Sequence, residues 1–166
     1  MIQSHYELRE NILIVQSLEF QTDPTKFSML DVRNCRLRKQ RLKDVYGLIL
    51  MARGHMIELF IDSKEDRDKW ISALKKHVIL LDLDDELIIG EILGKGNFAE
   101  VNLCVRNSDI NKEFALKTLR KSAILESPRN NNFLIAEIDV LRSLDHPNII
   151  SLEETYETEK GIHLLL

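Results

Sequence analysis

The feature that most constrains the fold is a glycine-containing segment, Gly94–Val101, that lies between two apolar runs. The runs Leu87–Leu93 and Val101–Val105 have the alternating apolar character of β-strands. Glycine marks turns because it lacks the Cβ atom that restricts the backbone of other residues. The pattern therefore predicts a strand–turn–strand hairpin with Gly94 and Gly96 at its tip.

The hairpin context excludes two other glycine-rich motifs, the Rossmann dinucleotide-binding fingerprint and the P-loop. In the Rossmann fingerprint, the glycines open a helix that follows a strand, whereas here Val101 continues as a strand. The P-loop needs Gly-x-x-x-x-Gly-Lys-Ser/Thr, and that run is absent from the sequence. By itself, such a hairpin is equally compatible with an ordinary structural turn.

Two later segments add chemistry to the hairpin. Glu113–Lys117 is an apolar strand that ends in a lysine. Ser127-Pro128 predicts the start of a helix that ends before His146-Pro147. Glu137 lies beside the apolar side of this helix and can face the sheet. The helical spacing predicts one buried stripe, composed of Leu134, Ile138, Leu141 and Leu144.

These features, in this order, resemble the small lobe of protein kinases, and the finer pattern resembles the calcium/calmodulin-dependent Ser/Thr group. The resemblance covers residues 86–166 and implies a five-stranded antiparallel sheet with one αC helix. It implies that Lys117 and Glu137 form the catalytic ion pair. It also implies an ATP site composed of Leu93, Gly94, Lys95, Gly96, Asn97, Phe98, Ala99, Val101, Ala115, Lys117 and Leu166.

The kinase pattern is incomplete in this chain. Ala99 stands where the family usually has its third glycine, and Ala is the smallest substitute. The sequence has no His-Arg-Asp run and no Asp-Phe-Gly run. In the family these runs supply the catalytic base and the Mg²⁺ ligands. We therefore expect the chain to be a piece truncated at both ends, with the metal ligands outside it. We also expect no phosphoryl transfer by the chain alone.

The first 79 residues resemble a different family. Several β-prone runs precede one helix with an apolar stripe of Trp70, Leu74 and Val78, and Ser63 with Asp66 forms a capping-box-like start. Strands closed by one Trp-bearing helix resemble the pleckstrin homology (PH) domain. The resemblance implies an antiparallel β-barrel, here without its first strand, that targets the protein. The combined fold class is therefore α+β, with domains at residues 1–79 and 86–166.

A basic run is the candidate contact of the first domain with a membrane or a protein. It consists of Arg33, Arg36, Arg38, Lys39, Arg41 and Lys43. It could attract an anionic lipid surface, although a solvated loop and strand edge is the simpler interpretation. Residues 1–80 carry 14 Lys/Arg against 11 Asp/Glu, and residues 81–166 carry 9 against 16. No aromatic residues alternate with the basic run, so nucleic-acid binding is not expected.

Composition narrows the possible cellular locations and kinds of site. Two distant cysteines, Cys35 and Cys104, favour a reduced cytoplasmic setting, at the membrane periphery if the basic run binds lipid. No metal site is expected from the sequence. The leading interpretation is the ATP-binding part of a Ser/Thr kinase that phosphorylates protein hydroxyls. The alternative is a non-catalytic PH-like and small-lobe module that binds a protein partner or an anionic membrane.

Overall fold

The computed structural model describes residues 4–17, 28–42, 45–52, 54–97, 99–125 and 128–166. It is mostly β-sheet with a few helices. The chain divides into two compact units. The first contains residues 1–36 and 40–78, and the second contains residues 37–39 and 79–166.

Six described strands lie within residues 4–61, although residues 37–39 of the fourth belong to the second unit. A three-stranded antiparallel sheet has the order β1 (Ser4–Arg9), β2 (Ile12–Ser17) and β3 (Ser28–Asp31). Next along the chain come β4 (Arg36–Leu42), β5 (Val45–Ala52) and β6 (His55–Ile61). Strands β5 and β6 form an antiparallel hairpin, and Gly54 at its turn takes the left-handed conformation, with φ of 86°. Arg53 of this turn lies outside the described residues.

Helix α1 (Lys64–Leu74) closes the first unit as expected from its sequence. The Oγ atom of Ser63 accepts a hydrogen bond from the Asp66 backbone N–H at 3.0 Å and donates one to the Asp66 carboxylate at 2.8 Å. The predicted capping pair is therefore confirmed. Leu74 and Val78 are fully buried, whereas Trp70 is only partly buried. The strands and helix follow the predicted order, and a PH-like barrel remains a proposal.

Within the second unit, the described strands have the order β7-β11-β12-β10-β9-β8. Its strands are β7 (Ile79–Leu80), β8 (Leu87–Lys95), β9 (Ala99–Arg106), β10 (Asp109–Arg120), β11 (Glu154–Glu157) and β12 (Gly161–Leu165). Its helices are α2 (Leu83–Glu86), α3 (Lys121–Leu125) and α4 (Pro128–Ser143). The five strands β8 to β12 pair antiparallel, as the kinase resemblance implied.

The sheet has one strand more than the sequence predicted. Strand β7 pairs parallel with β11, with Leu80 opposite Tyr156. This strand lies before residues 86–166, for which the antiparallel five-stranded sheet was predicted, so that prediction stands for β8 to β12. Two residues are too short for a periodic pattern, but Ile79, Leu80 and Leu83 are buried and belong to the second unit.

Helix α4 packs on the sheet through part of its predicted stripe. Leu134 and Ile138 are buried together with Ile162 and Leu164 of β12, and Leu141 packs against this cluster. Leu144 was wrongly placed in the stripe, because it lies beyond the last helical residue and is 38% exposed. The helix ends before His146-Pro147, as predicted, since proline disfavours helical backbone at the preceding residue.

Candidate functional site

The glycine-rich hairpin joins β8 to β9 in the second unit. The Gly96 backbone N–H donates to the Ala99 carbonyl at 2.8 Å, and Gly94 lies opposite Val101. The Lys95 ammonium lies 3.3 Å from the Glu100 carboxylate across the turn. Phe98, predicted at the tip, lies outside the described residues. The strand–turn–strand prediction is confirmed.

The two glycines of the hairpin are not required by the turn angle, since neither has a positive φ. A Cβ atom on Gly94 would meet no other atom within 4 Å. Open space therefore lies beside the backbone at this point. A ligand that approaches the backbone closely would use that space, which is the physical reason for glycine in a phosphate-binding loop.

Lys117 and Glu137 meet although 20 residues separate them. The Lys117 Nζ atom donates to Oε1 of Glu137 at 2.6 Å. Lys117 lies on β10 and Glu137 on α4, and the buried cluster of Leu134 and Ile138 holds that helix on the sheet. The two side chains are 30% and 38% exposed, so the ammonium remains accessible to an anion.

Sheet register places several predicted site residues on one face. Val101 lies opposite Lys117, and Ala115 exchanges two backbone hydrogen bonds with Leu166, at 3.0 and 2.9 Å. Directly opposite residues in an antiparallel pair share a face. Leu103 lies opposite Ala115 and was missed, although the alternation Val101, Leu103, Val105 signals it. Leu93 is 55% exposed and lies where the ladder register shifts.

Arg120 is a further neighbour of the hairpin that the sequence did not indicate. Its guanidinium donates to the backbone carbonyl of Asn97 at the tip. The ladder explains the contact, because β10 runs beside the hairpin and places Leu119 opposite Ala99. The tip is thus bonded to the end of the strand that carries Lys117.

The opposite face of the sheet carries a buried polar network. Glu154 accepts from Arg106 at 2.7 Å and from the Tyr156 hydroxyl at 2.5 Å. Burial, reinforced by Glu154, raises the pKa of Tyr156 well above its usual range. His163 lies 2.8 Å from the hydroxyls of both Thr118 and Thr158, and burial lowers its pKa to about 4. Every partner is satisfied within the protein, which indicates a structural network.

The basic run of the first half is largely committed to the fold. The stretch expected to be a loop and strand edge is mostly strand β4. Arg33 pairs with Asp31 at 2.6 Å, and Lys39 pairs with Glu86. Arg36 and Arg38 are exposed. The Arg41 side chain and Lys43 lie outside the described residues. Two of the six cations therefore already have carboxylate partners.

The site residues fit a nucleotide but supply no metal centre of their own. Within the described ranges, no group of three His, Cys, Asp or Glu side chains could hold a metal ion. The open space at Gly94 and the accessible Lys117 ammonium match phosphates. The adjoining apolar face matches an aromatic base. No described helix is long and apolar enough to cross a membrane.

Comparison with known proteins also indicates a protein kinase domain. Residues 87–166 match the model of the protein kinase domain. The chain is 36% identical over 105 residues to the mouse serine/threonine-protein kinase DCLK3, covering 63% of this chain and 13% of that protein. It is 33% identical over 119 residues to the probable serine/threonine-protein kinase fhkE of Dictyostelium discoideum, covering 70% and 17%. It is 33% identical over 108 residues to calcium/calmodulin-dependent protein kinase type 1 of Macrobrachium nipponense, covering 65% and 30%.

The chain thus spans between 13% and 30% of the length of these curated relatives. The matched family segment coincides with the strands and helix that carry the hairpin, Lys117 and Glu137. Residues 87–166 therefore match the protein kinase domain, and the similar proteins named above are all described as protein kinases.

Proposed function

We propose that residues 87–166 are the ATP-binding small lobe of a Ser/Thr protein kinase that phosphorylates protein hydroxyls. The observation that carries this proposal is the 2.6 Å pair between Lys117 and Glu137 beside the glycine-rich hairpin. One of the similar proteins is a calcium/calmodulin-dependent protein kinase, which favours that group.

The proposed roles follow from the chemistry of each residue. Lys117 supplies a positive charge to the phosphates, and Glu137 holds that charge in place. Backbone N–H groups of the hairpin tip would contact the phosphates, Phe98 would cover them, and Ala99 would take the place of the third family glycine. Leu93, Val101, Ala115 and Leu166 contact the base. Bound ATP with Mg²⁺ supplies the transferable phosphoryl group, and the metal ligands are expected outside this chain.

Nucleotide titration tests the proposal directly. We expect saturable binding of a fluorescent ADP analogue, weakened about tenfold or more in Lys117→Met, since a charge-assisted hydrogen bond contributes about 1.5–3 kcal/mol. Lys160→Met is the matched control, because Lys160 is an exposed lysine elsewhere on the same unit. Equal weakening by both variants, or no binding by the unmodified chain, would contradict the proposal.

We also propose that the 166-residue chain has no phosphoryl-transfer activity by itself. Its sequence contains neither the His-Arg-Asp nor the Asp-Phe-Gly run that supplies base and metal ligands in the family. Time-dependent transfer from labelled ATP that Lys117→Met abolishes would overturn this expectation.

We further propose a cytoplasmic protein whose residues 1–79 form a PH-like targeting domain. Support comes from the six strands followed by helix α1, and from the exposed Arg36 and Arg38. Sedimentation with phosphatidylserine vesicles measures the membrane contact. Unchanged partitioning of an Arg36→Glu/Arg38→Glu variant would remove these residues from the proposal, and cell fractionation tests the location.

A further inference from the structure

The first unit contains an open cavity of about 300 Å³ that the kinase proposal does not use. Its lining includes three aromatic side chains and two carboxylates, namely Tyr6, Phe60, Trp70, Asp62 and Asp66. An aromatic ring has a negative face that attracts cations, and a carboxylate carries a full negative charge. Five of the seven lining residues therefore favour a cation, and the other two are the aliphatic Leu59 and Ile61.

The fold brings these residues together from three elements. Tyr6 lies on β1, Phe60 lies on β6, and Asp62 follows that strand directly. Asp66 and Trp70 are four residues apart on α1, so they share one helix face. Phe60 is 45% exposed, and Trp70 is only partly buried, although both are large aromatic residues. Their rings thus remain available to a ligand.

The two carboxylates differ in their present partners. Asp66 interacts with Lys69 at 2.8 Å and with Ser63, and these hydrogen bonds, that of Lys69 first, hold the pKa of Asp66 below its usual range. The Asp62 carboxylate has no hydrogen bond or ion pair within the described part of the chain. Arg67, the nearest guanidinium along the helix, is held by Asp68 at 3.0 Å and over the Tyr46 ring.

We propose that this cavity binds an arginine side chain from a partner polypeptide, with Asp62 as its ion-pair partner. A guanidinium is planar, so it stacks on aromatic rings and donates two parallel hydrogen bonds to one carboxylate. It is also more weakly hydrated than the lysine ammonium, which favours its entry into an aromatic pocket. Charge complementarity therefore selects arginine over an acidic or neutral side chain.

The strand beside the cavity accommodates the backbone of that partner. β6 is the last strand in its sheet order among the described residues, and Leu59, Phe60 and Ile61 of this strand line the cavity. An extended segment can therefore add its main chain to the outer edge of β6 while one side chain enters the pocket. The occupant is an extended arginine-containing segment, and the site acts independently of nucleotide.

Trp70 is the only tryptophan in the chain, so its fluorescence reports directly on the cavity. The 166-residue chain is titrated with three blocked peptides, acetyl-Val-X-Val-amide with X as arginine, citrulline or lysine. We expect a saturable change in Trp70 emission with the arginine peptide. Citrulline has nearly the same shape but no charge, so its peptide should bind at least about tenfold more weakly.

Two variants locate the binding. Asp62→Asn should weaken binding of the arginine peptide about tenfold, since it removes the charge that pairs with the guanidinium. Glu65→Gln is the control in the adjoining first turn of α1, and Glu65 does not line the cavity, so affinity should stay unchanged. Phe60→Ala, at a half-exposed position, should also weaken binding and serves if Asp62→Asn unfolds by circular dichroism.

The outcomes are decisive in either direction. Arginine binding that Asp62→Asn or Phe60→Ala weakens and Glu65→Gln leaves unchanged supports the site. No saturable change with the arginine peptide, or equal binding of the citrulline or lysine peptide, overturns it. Loss of nucleotide binding in Lys117→Met does not bear on this result, because the two sites lie in different units.

Discussion

The two units hold their charged groups in different ways. In the described part of the first unit, ion pairs join near neighbours in the sequence, and pairs such as Glu7 with Arg9 and Asp66 with Lys69 are exposed. In the second unit, several pairs join residues 20 to 48 positions apart, as in Lys117 with Glu137 and Arg106 with Glu154, beside the local pair of Lys95 and Glu100 in the hairpin. The latter pair is 18% and 3% exposed.

This difference teaches which polar groups specify the arrangement of strands and helices. A local pair forms in almost any conformation of its segment, so it contributes little to selecting the fold. A buried long-range pair satisfies both charges in only one arrangement, and breaking it leaves an uncompensated charge. We therefore expect the second unit to depend on its polar groups far more than the first.

The largest effect should come from removing the buried carboxylate of Glu154. Glu154→Ala leaves Arg106 and Tyr156 without their partner, so the free energy of unfolding of the second unit should fall by about 3–5 kcal/mol. Urea denaturation followed by hydrogen exchange of residues 99–120 measures this loss. Glu7→Ala in the first unit removes an exposed local pair and should leave stability unchanged. Equal effects of the two variants would erase the contrast between the units.

The second largest effect should be a loss of stability of the second unit at acidic pH. Burial holds the pKa of His163 at about 4, below its ordinary 6.5, so the unfolded chain binds a proton that the folded chain excludes. Stability of the second unit should therefore fall as the pH drops from about 6.5 to about 4, by up to roughly 3 kcal/mol. Asp84 opposes this shift, while Lys121 and Lys160 add to it.

The first unit should respond in a more acidic range. Hydrogen bonds from Arg33 hold the pKa of Asp31 below its ordinary 3.8, so its stabilising contribution is lost only below about pH 4. Acid titration followed by Trp70 emission for the first unit and by hydrogen exchange for the second separates the two ranges. His163→Gln should remove the slope between pH 6.5 and 4, and a slope that persists would exclude His163 as its source.

The smallest effects should come from two glycines. A Cβ atom on Gly161 would clash with the carbonyl oxygen of Leu119 on the neighbouring strand, so Gly161→Ala should cost about 1–3 kcal/mol. Gly54 has open space but a φ of 86°, so Gly54→Ala should cost only about 1–2 kcal/mol, for strain within its own turn. Thermal unfolding of both variants measures the two costs. A larger loss of stability at Gly54 than at Gly161 would contradict this prediction, because strain within one turn would then outweigh the contact between neighbouring strands.

Much of the second unit could be predicted because its signals are periodic. The hairpin, the strand ending in Lys117 and the helix bearing Glu137 all follow from apolar spacing and punctuation by glycine and proline. Strand β7 could not be predicted, because two residues carry no period and pair only after the sheet exists. Leu144 was misplaced because the stripe was extended past the true end of the helix.

The sequence by itself determined the glycine-rich hairpin, the strand that ends in Lys117, the helix that bears Glu137 and the capped start of α1, because these depend on neighbours within a few positions. Only the tertiary structure decided that Arg120 reaches Asn97, that Lys39 pairs with Glu86, and that three aromatic residues and two carboxylates line one cavity. Those contacts depend on strand register and on packing between distant segments, which no local pattern encodes.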